Sequence, residues 1–192
     1  MTIVLIIIAV GFVSFIALGM YGNTKQKGFE ENARQEIQSK GLTLTKQTKT
    51  DYGIIGIDEP NKKLVIVNSE LTSQKTEIID FSDIFACELL IDSQSVYKKS
   101  TIRTVGGAIV GGAVLGGAGA IVGGLSGSSK ERKDIKQIEL KLTVKSISNP
   151  IRKFKFYGDG TNNTFLSMRK GQAEEWKDTI SIIIDTIDSN NK

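Results

Sequence analysis

The feature that most constrains the fold is an apolar, glycine-rich segment from Val105 to Leu125. It reads VGGAIVGGAVLGGAGAIVGGL, without a charged or polar residue, and ten of the chain's 20 glycines fall between positions 106 and 127. On a helix, glycines four residues apart form a flat face that a second helix can approach closely. Because each glycine costs about 1 kcal/mol relative to alanine in a helix in water, the segment needs a partner helix or a bilayer. The predicted helix-packing residues are Gly107, Gly111, Gly112, Gly116, Gly119, Gly123 and Gly127.

Two other interpretations of this segment fit its composition less well. A flexible linker would carry Ser, Thr or charged residues in place of Ile, Val and Leu. A phosphate-binding loop needs Gly-Lys-Ser/Thr after its glycines, or a GxGxxG between a strand and a helix. Neither pattern is present, and Lys130 is followed by Glu131.

The flanks of the segment indicate how it meets a membrane. The basic residues on the two sides, which we expect at the membrane surface, are Lys98, Lys99, Arg103, Lys130, Arg132 and Lys133. The positive-inside rule therefore places both flanks in the cytoplasm. We predict a helical hairpin over residues 105–127, with arms of roughly 15 Å that bend near residues 116–119. Such a hairpin could re-enter the bilayer, lie at its surface, or pack against copies of itself.

The N-terminal segment, residues 1–21, contains no charged residue. About 20 apolar residues span a bilayer core of roughly 30 Å, so we predict a transmembrane anchor here. Lys25 and Lys27 follow directly, which places the N-terminus outside and the bulk of the chain in the cytoplasm. The localisation we expect is therefore the cell membrane, through a single-pass anchor. A cleaved signal peptide is the alternative, since residues 17–19 are a tolerable cleavage site, although a basic n-region is missing.

The remaining sequence predicts a mainly β (α+β) domain around the glycine-rich segment. Residues 22–49 are predicted as a juxtamembrane helix or a disordered linker. Short β-branched or alternating runs predict strands on both sides of the segment. These runs lie at 53–58, 64–67, 76–81, 84–91, 96–99, 138–144 and 151–157.

The predicted domain has two parts, residues 50–104 and 128–188, and a tail at 189–192. In the second part, apolar residues recur at helical spacing after Gly171, which predicts an amphipathic helix. They are Trp176, Ile180, Ile183, Ile184 and Ile187. A helix with one apolar stripe must bury that stripe, so we expect a small bent antiparallel sheet or partial barrel closed by this helix.

Composition excludes several chemistries. Histidine is absent and Cys87 is the single cysteine, so Ser-His-Asp, Cys-His and four-ligand Cys/His zinc sites are excluded. We expect no cofactor and no enzymatic activity. An unrecognised carboxylate site stays open, because Asp80, Asp83 and Glu88 form one acidic group. The formal net charge of +4 suits an anionic membrane surface, and no nucleic-acid motif is present. The unpaired cysteine agrees with a reducing compartment.

The layout of residues 50–188 resembles bacterial pleckstrin-homology-like (PH-like) domains. The stretch 77–89, EIIDFSDIFACEL, resembles the strand–bend–strand of those domains. It also resembles uncharacterised bacterial and phage proteins that insert a glycine zipper after this motif. The first predicted hairpin carries only two cations, Lys62 and Lys63, so phosphoinositide binding is not implied.

We therefore expect a non-enzymatic, membrane-anchored binding or scaffold module. Its expected partners are the lipid bilayer, further copies of the chain bound through the glycine-rich segment, and a protein or peptide ligand of the β domain. Nucleic acid is not expected. One alternative is a membrane-perturbing or pore-forming effector, for example in phage conflict. The second is an enzyme that uses the carboxylate group above.

Overall fold

The computed structural model describes residues 27–69, 74–101, 104–105, 108–109, 135–159 and 161–190. The predicted anchor at 1–21 and most of the glycine-rich segment lie outside the described residues. The chain divides into two compact units, Met1–Thr43 and Leu44–Lys192. None of the described helices combines the length and the apolar character needed to cross a bilayer.

In the first unit, residues 27–39 form helix α1 within the region predicted as a juxtamembrane helix or linker. Gly41 follows its last turn with φ +71°, a left-handed conformation that glycine adopts without steric cost. The amide of Leu42 then donates to the carbonyl of Ile37 at 3.2 Å. These contacts are typical of a helix that ends at a glycine.

The second unit contains two four-stranded antiparallel sheets. Sheet A is a meander of β1 (Lys46–Thr50), β2 (Gly53–Asp58), β3 (Lys63–Ser69) and β4 (Gln74–Asp80). Sheet B has the order β10-β9-β5-β6 and consists of β5 (Ile84–Ile91), β6 (Gln94–Ser100), β9 (Ile138–Val144) and β10 (Ile151–Tyr157). Two short strands, β7 (Thr104–Val105) and β8 (Ala108–Ile109), pair with each other. Helix α2 (Leu166–Ser189) follows sheet B. The mainly β fold with a C-terminal helix is confirmed, and it forms no closed barrel.

Two boundaries differ from the sequence expectation. Strand β1 lies in the region predicted as linker; its sequence KQTKT is polar and carries no apolar alternation, yet it pairs with β2 along its full length. Helix α2 begins at Leu166, before Gly171. The side chain of Asn162 accepts from the Thr164 amide at 2.9 Å and starts a 3-10 turn that leads into the helix. Gly171 faces open space, because a Cβ built there would have no neighbouring atom within 4 Å. The glycine therefore leaves no gap in the packing of the helix.

The core lies between the inner faces of the two sheets and the apolar stripe of α2. Leu64 and Ile66 of sheet A and Leu140 and Leu142 of sheet B are buried in it. From α2, Ala173, Trp176, Ile180 and Ile184 are fully buried in the same cluster. The indole Nε1 of Trp176 donates to Thr48 Oγ1 at 2.7 Å, so the helix is also tied to β1.

Two isoleucines of α2 test this packing. Ile184 is 0% exposed and Ile182 is 65% exposed, so they form a matched pair in one helix. Ile184→Ala should lower the free energy of unfolding by about 2–5 kcal/mol, since it leaves a cavity. Ile182→Ala should change it by no more than about 0.5 kcal/mol. Urea unfolding of the full chain in mild detergent, followed by Trp176 fluorescence, measures both; equal losses would contradict this docking face.

Candidate functional site at the base of the glycine-rich insertion

The residues between 101 and 135, called the insertion below, connect β6 to β9. Both strands pair antiparallel with β5, one on each side, so they run parallel to each other. The chain therefore leaves sheet B at the end where β5 starts and returns at the end where β5 stops. We call these the exit end and the return end. The insertion thus acts as the crossover connection that parallel strands require.

At the exit end, Thr101 fixes the chain as it leaves β6. This residue is fully buried, and its amide donates to the carbonyl of Phe85 at 2.6 Å. Its hydroxyl donates to the carboxylate of Asp188, which is buried in the last turn of α2. A hydrogen bond to a charged group contributes roughly 1.5–3 kcal/mol. The start of the insertion is therefore joined to both the sheet and the helix.

At the return end, Asp92 fixes the chain as it enters β9. Asp92 and Ser93 have φ of +51° and +66° in the tight turn between β5 and β6. The Asp92 carboxylate accepts from the amides of Lys136 at 2.8 Å and Gln137 at 3.0 Å. The Asp92 amide donates to the Gln137 carbonyl at 3.0 Å, and Ile135 packs against the core. Asp tolerates positive φ better than most residues, which suits this turn.

Only the beginning of the predicted helical hairpin is described. Val105 pairs with Ala108, and Thr104 pairs with Ile109, in an antiparallel ladder. These positions are extended where a helical arm was expected, so such an arm can begin only after residue 109. The seven predicted helix-packing glycines lie outside the described residues; they are Gly107, Gly111, Gly112, Gly116, Gly119, Gly123 and Gly127.

Two of the predicted membrane-surface cations are described, Lys98 and Lys99 on β6. The Nζ of Lys98 lies 3.6 Å from the Glu88 carboxylate, and that of Lys99 lies 2.6 Å from the Asp185 carboxylate on α2. Neighbouring residues of a strand point to opposite faces, so these two lysines do not form one cationic surface. The other four, Arg103, Lys130, Arg132 and Lys133, lie outside the described residues.

The described residues contain no group of three or more acidic, histidine or cysteine side chains that could hold a metal ion. Within the acidic group noted from the sequence, Asp80 pairs with Lys63 at 2.5 Å and Glu88 pairs with Lys141 at 3.3 Å. Burial, followed by the charge of Glu88, raises the pKa of the Cys87 thiol to about 12. A thiol in that state is a poor nucleophile at neutral pH.

Sequence reasoning missed one exposed feature at the exit end. From the sequence, Asn149 and Pro150 indicate only a turn between β9 and β10. In the structure, Ile147 of this loop has a relative exposure of 105%. One isoleucine within a polar turn has no periodic pattern, so its exposure follows only from the register of the two strands.

Comparison with known proteins places the chain in one family. The family model described as "Glycine zipper containing PH domain" matches residues 40–158, which include both sheets and the insertion. An immunity protein of Bacillus phage SPbeta is 30% identical over 117 residues, which cover 55% of this chain and 56% of that protein.

A second relative is the SPbeta prophage-derived uncharacterized membrane protein YomJ of Bacillus subtilis (strain 168). It is also 30% identical over 117 residues, which cover 55% of this chain and 50% of that protein. The chain therefore spans about half the length of these curated relatives. No solved structure matches the chain.

Proposed function

Because the chain belongs to the family of glycine zipper containing PH domains, we propose that it is a non-enzymatic, membrane-associated binding or scaffold module. The observation that carries the proposal is the position of the apolar insertion between two strands of one sheet. If the insertion crossed a bilayer once, β6 and β9 would lie on opposite sides, and their common partner β5 excludes this. We infer that it enters the membrane and returns, or lies on the surface.

Membrane association has two further supports. Residues 105–125 of the insertion are apolar and rich in glycine, a composition that is costly in water and suited to helix packing in lipid. One of the two relatives is named as a membrane protein. The proposed partners are the lipid bilayer, other copies of the chain, and a protein or peptide ligand of the β domain.

We also propose that residues 1–21 form a single-pass anchor and that the domain faces the cytoplasm. The supports are the uncharged segment itself and the lysines that follow it, Lys25 and Lys27. A cytoplasmic domain also agrees with a free, buried Cys87.

Cysteine accessibility in intact cells tests this orientation. The native Cys87 is buried and should not react with a membrane-impermeant maleimide, so the parent chain is the control. Thr2→Cys should react in intact cells. Gln94→Cys, an exposed site at the return end, should react only after lysis. Labelling of Gln94→Cys in intact cells would contradict a cytoplasmic domain, and a mature chain that lacks residue 2 would indicate a cleaved signal peptide.

Self-association through the insertion has a separate test. Gly111→Leu combined with Gly116→Leu should fill the flat face and prevent close helix packing. The oligomer in detergent should then become smaller, as measured by light scattering after size-exclusion chromatography. Val110→Phe adds bulk on the opposite side of the helix, at about 100° or more from both glycines, and is the control. An unchanged oligomer in the double variant would count against assembly through the glycines.

A second candidate function is a role in phage immunity, because one relative is named an immunity protein. Expression of the full chain in Bacillus subtilis without the SPbeta prophage should then reduce the number of SPbeta plaques. A chain without residues 105–127 that still reaches the membrane is the control. Unchanged plaque numbers would contradict this role.

Liposome dye release separates a pore-forming effector, which releases dye, from a scaffold, which does not.

A further inference from the structure

The loop between β9 and β10 presents an apolar side chain to solvent at its tip. We define this tip as residues 145–150. Ile147 has a relative exposure of 105%, and Ile151, just past the loop, is 37% exposed. A single exposed isoleucine is common on protein surfaces, so exposure alone has no functional meaning. Three further properties of the tip indicate that the exposure of Ile147 has a function.

The first property is a fixed conformation. The amide of Val144 donates to the Pro150 carbonyl at 2.8 Å, which closes the loop, and the amide of Asn149 donates to Ser146 Oγ at 3.2 Å. A guanidinium nitrogen of Arg152 donates to the Asn149 carbonyl at 2.5 Å. Because these hydrogen bonds hold the loop in one conformation, the loop loses little conformational entropy when Ile147 moves from water into an apolar environment.

The second property is charge. Residues 140–158 contain no Asp or Glu and five cations: Lys141, Lys145, Arg152, Lys153 and Lys155. Within the described structure three of these five pair with carboxylates, namely Lys141 with Glu88, Arg152 with Glu77, and Lys153 with Glu139. Lys145, on the tip itself, is exposed and makes no ion pair with any described residue. An exposed apolar side chain beside an unpaired lysine is complementary to an anionic lipid surface.

The third property is position. The Lys145 amide donates to the Asp83 carbonyl at 2.8 Å, and the Thr101 amide donates to the Phe85 carbonyl at 2.6 Å. The tip and the start of the insertion therefore flank the beginning of β5. Since β6 and β9 are each one strand away from β5, the two lie about 10 Å apart across the sheet. A membrane surface that contacts the insertion at the exit end is therefore close enough to contact the tip as well.

We propose that the tip inserts Ile147 into the anionic leaflet of the membrane, with Lys145 at the lipid headgroups. The tip is then a contact in addition to the insertion, and it fixes which end of sheet B faces the bilayer. The inference rests on the membrane association proposed above. It names a second element and an orientation that membrane association alone does not require.

An environment-sensitive fluorophore at the tip tests the proposal. The full chain with Ile147→Cys is labelled with a nitrobenzoxadiazole maleimide and mixed with phosphatidylglycerol–phosphatidylcholine vesicles. Emission should rise at least about twofold and shift to the blue as the probe leaves water. Lipids that carry a quencher on the acyl chain should reduce it. Gln94→Cys, at the return end, is the matched control and should show neither change.

Charge is tested by combining Lys145→Gln with the labelled Ile147→Cys chain. The emission rise should then require a higher fraction of phosphatidylglycerol than in the parent. Vesicles of phosphatidylcholine alone should give a smaller rise in both chains. Emission that is insensitive to phosphatidylglycerol and to Lys145→Gln would overturn the electrostatic part of the proposal.

Vesicle flotation separates failure of this inference from failure of the proposed function. If the chain floats with vesicles while the probe at 147 stays as wet as the probe at 94, membrane association stands and the tip contact is wrong. If the chain does not float, both are wrong. A blue shift that depends on protein concentration and not on lipid would place the tip against a second copy, which also overturns the proposal.

Discussion

The pairing of β5 with β6 on one side and β9 on the other is the constraint on which the rest of this structure depends. It places the apolar insertion between two parallel strands of one sheet, as their crossover connection. A crossover in most α/β proteins is a helix packed on the sheet. Here it is a segment that is costly in water, attached at opposite ends of the sheet by Thr101 and Asp92. Sheet B therefore fixes where the insertion starts and where it must return.

Described side chains of the two sheets and of helix α2 form the core of the domain. Among the described residues, the main core cluster consists of side chains from the two sheets, the 3-10 turn before β5 (Phe81–Asp83) and helix α2. Helix α2 is joined to the edge strand β1 by polar contacts as well, such as Arg169 to the Lys49 carbonyl at 2.7 Å. Lys46 adds an ion pair with Glu175 at 2.6 Å.

The sequence predicted those elements that are strongly apolar or that carry an apolar stripe. β2, β3, β5 and β9 are rich in β-branched or leucine residues, and the apolar stripe of α2 repeats at helical spacing, so their types were predictable. The strand β1 was not predictable, because its sequence KQTKT has no apolar pattern. Its position depends on pairing with β2 and on contacts with α2. At the site, Lys98 and Lys99 were found as a basic pair, but their carboxylate partners, Glu88 and Asp185, come from different elements. Such pairs appear only once register and helix docking are known.

The two fixed ends also bear on how the insertion can associate. When two parts of the insertion come together, the chain loses conformational entropy, and this loss increases with the length of the loop between them. Because both ends of the insertion are already held by sheet B, fewer conformations remain to be lost. Residues 126–134, SGSSKERKD, are polar and can span at most about 30 Å. A seven-residue strand such as β9 is roughly 23 Å long. The polar residues are thus long enough to lead from the membrane contact proposed for the exit end back to the return end. In this proposed arrangement, the apolar residues before them remain in contact with lipid while both sheets stay in water.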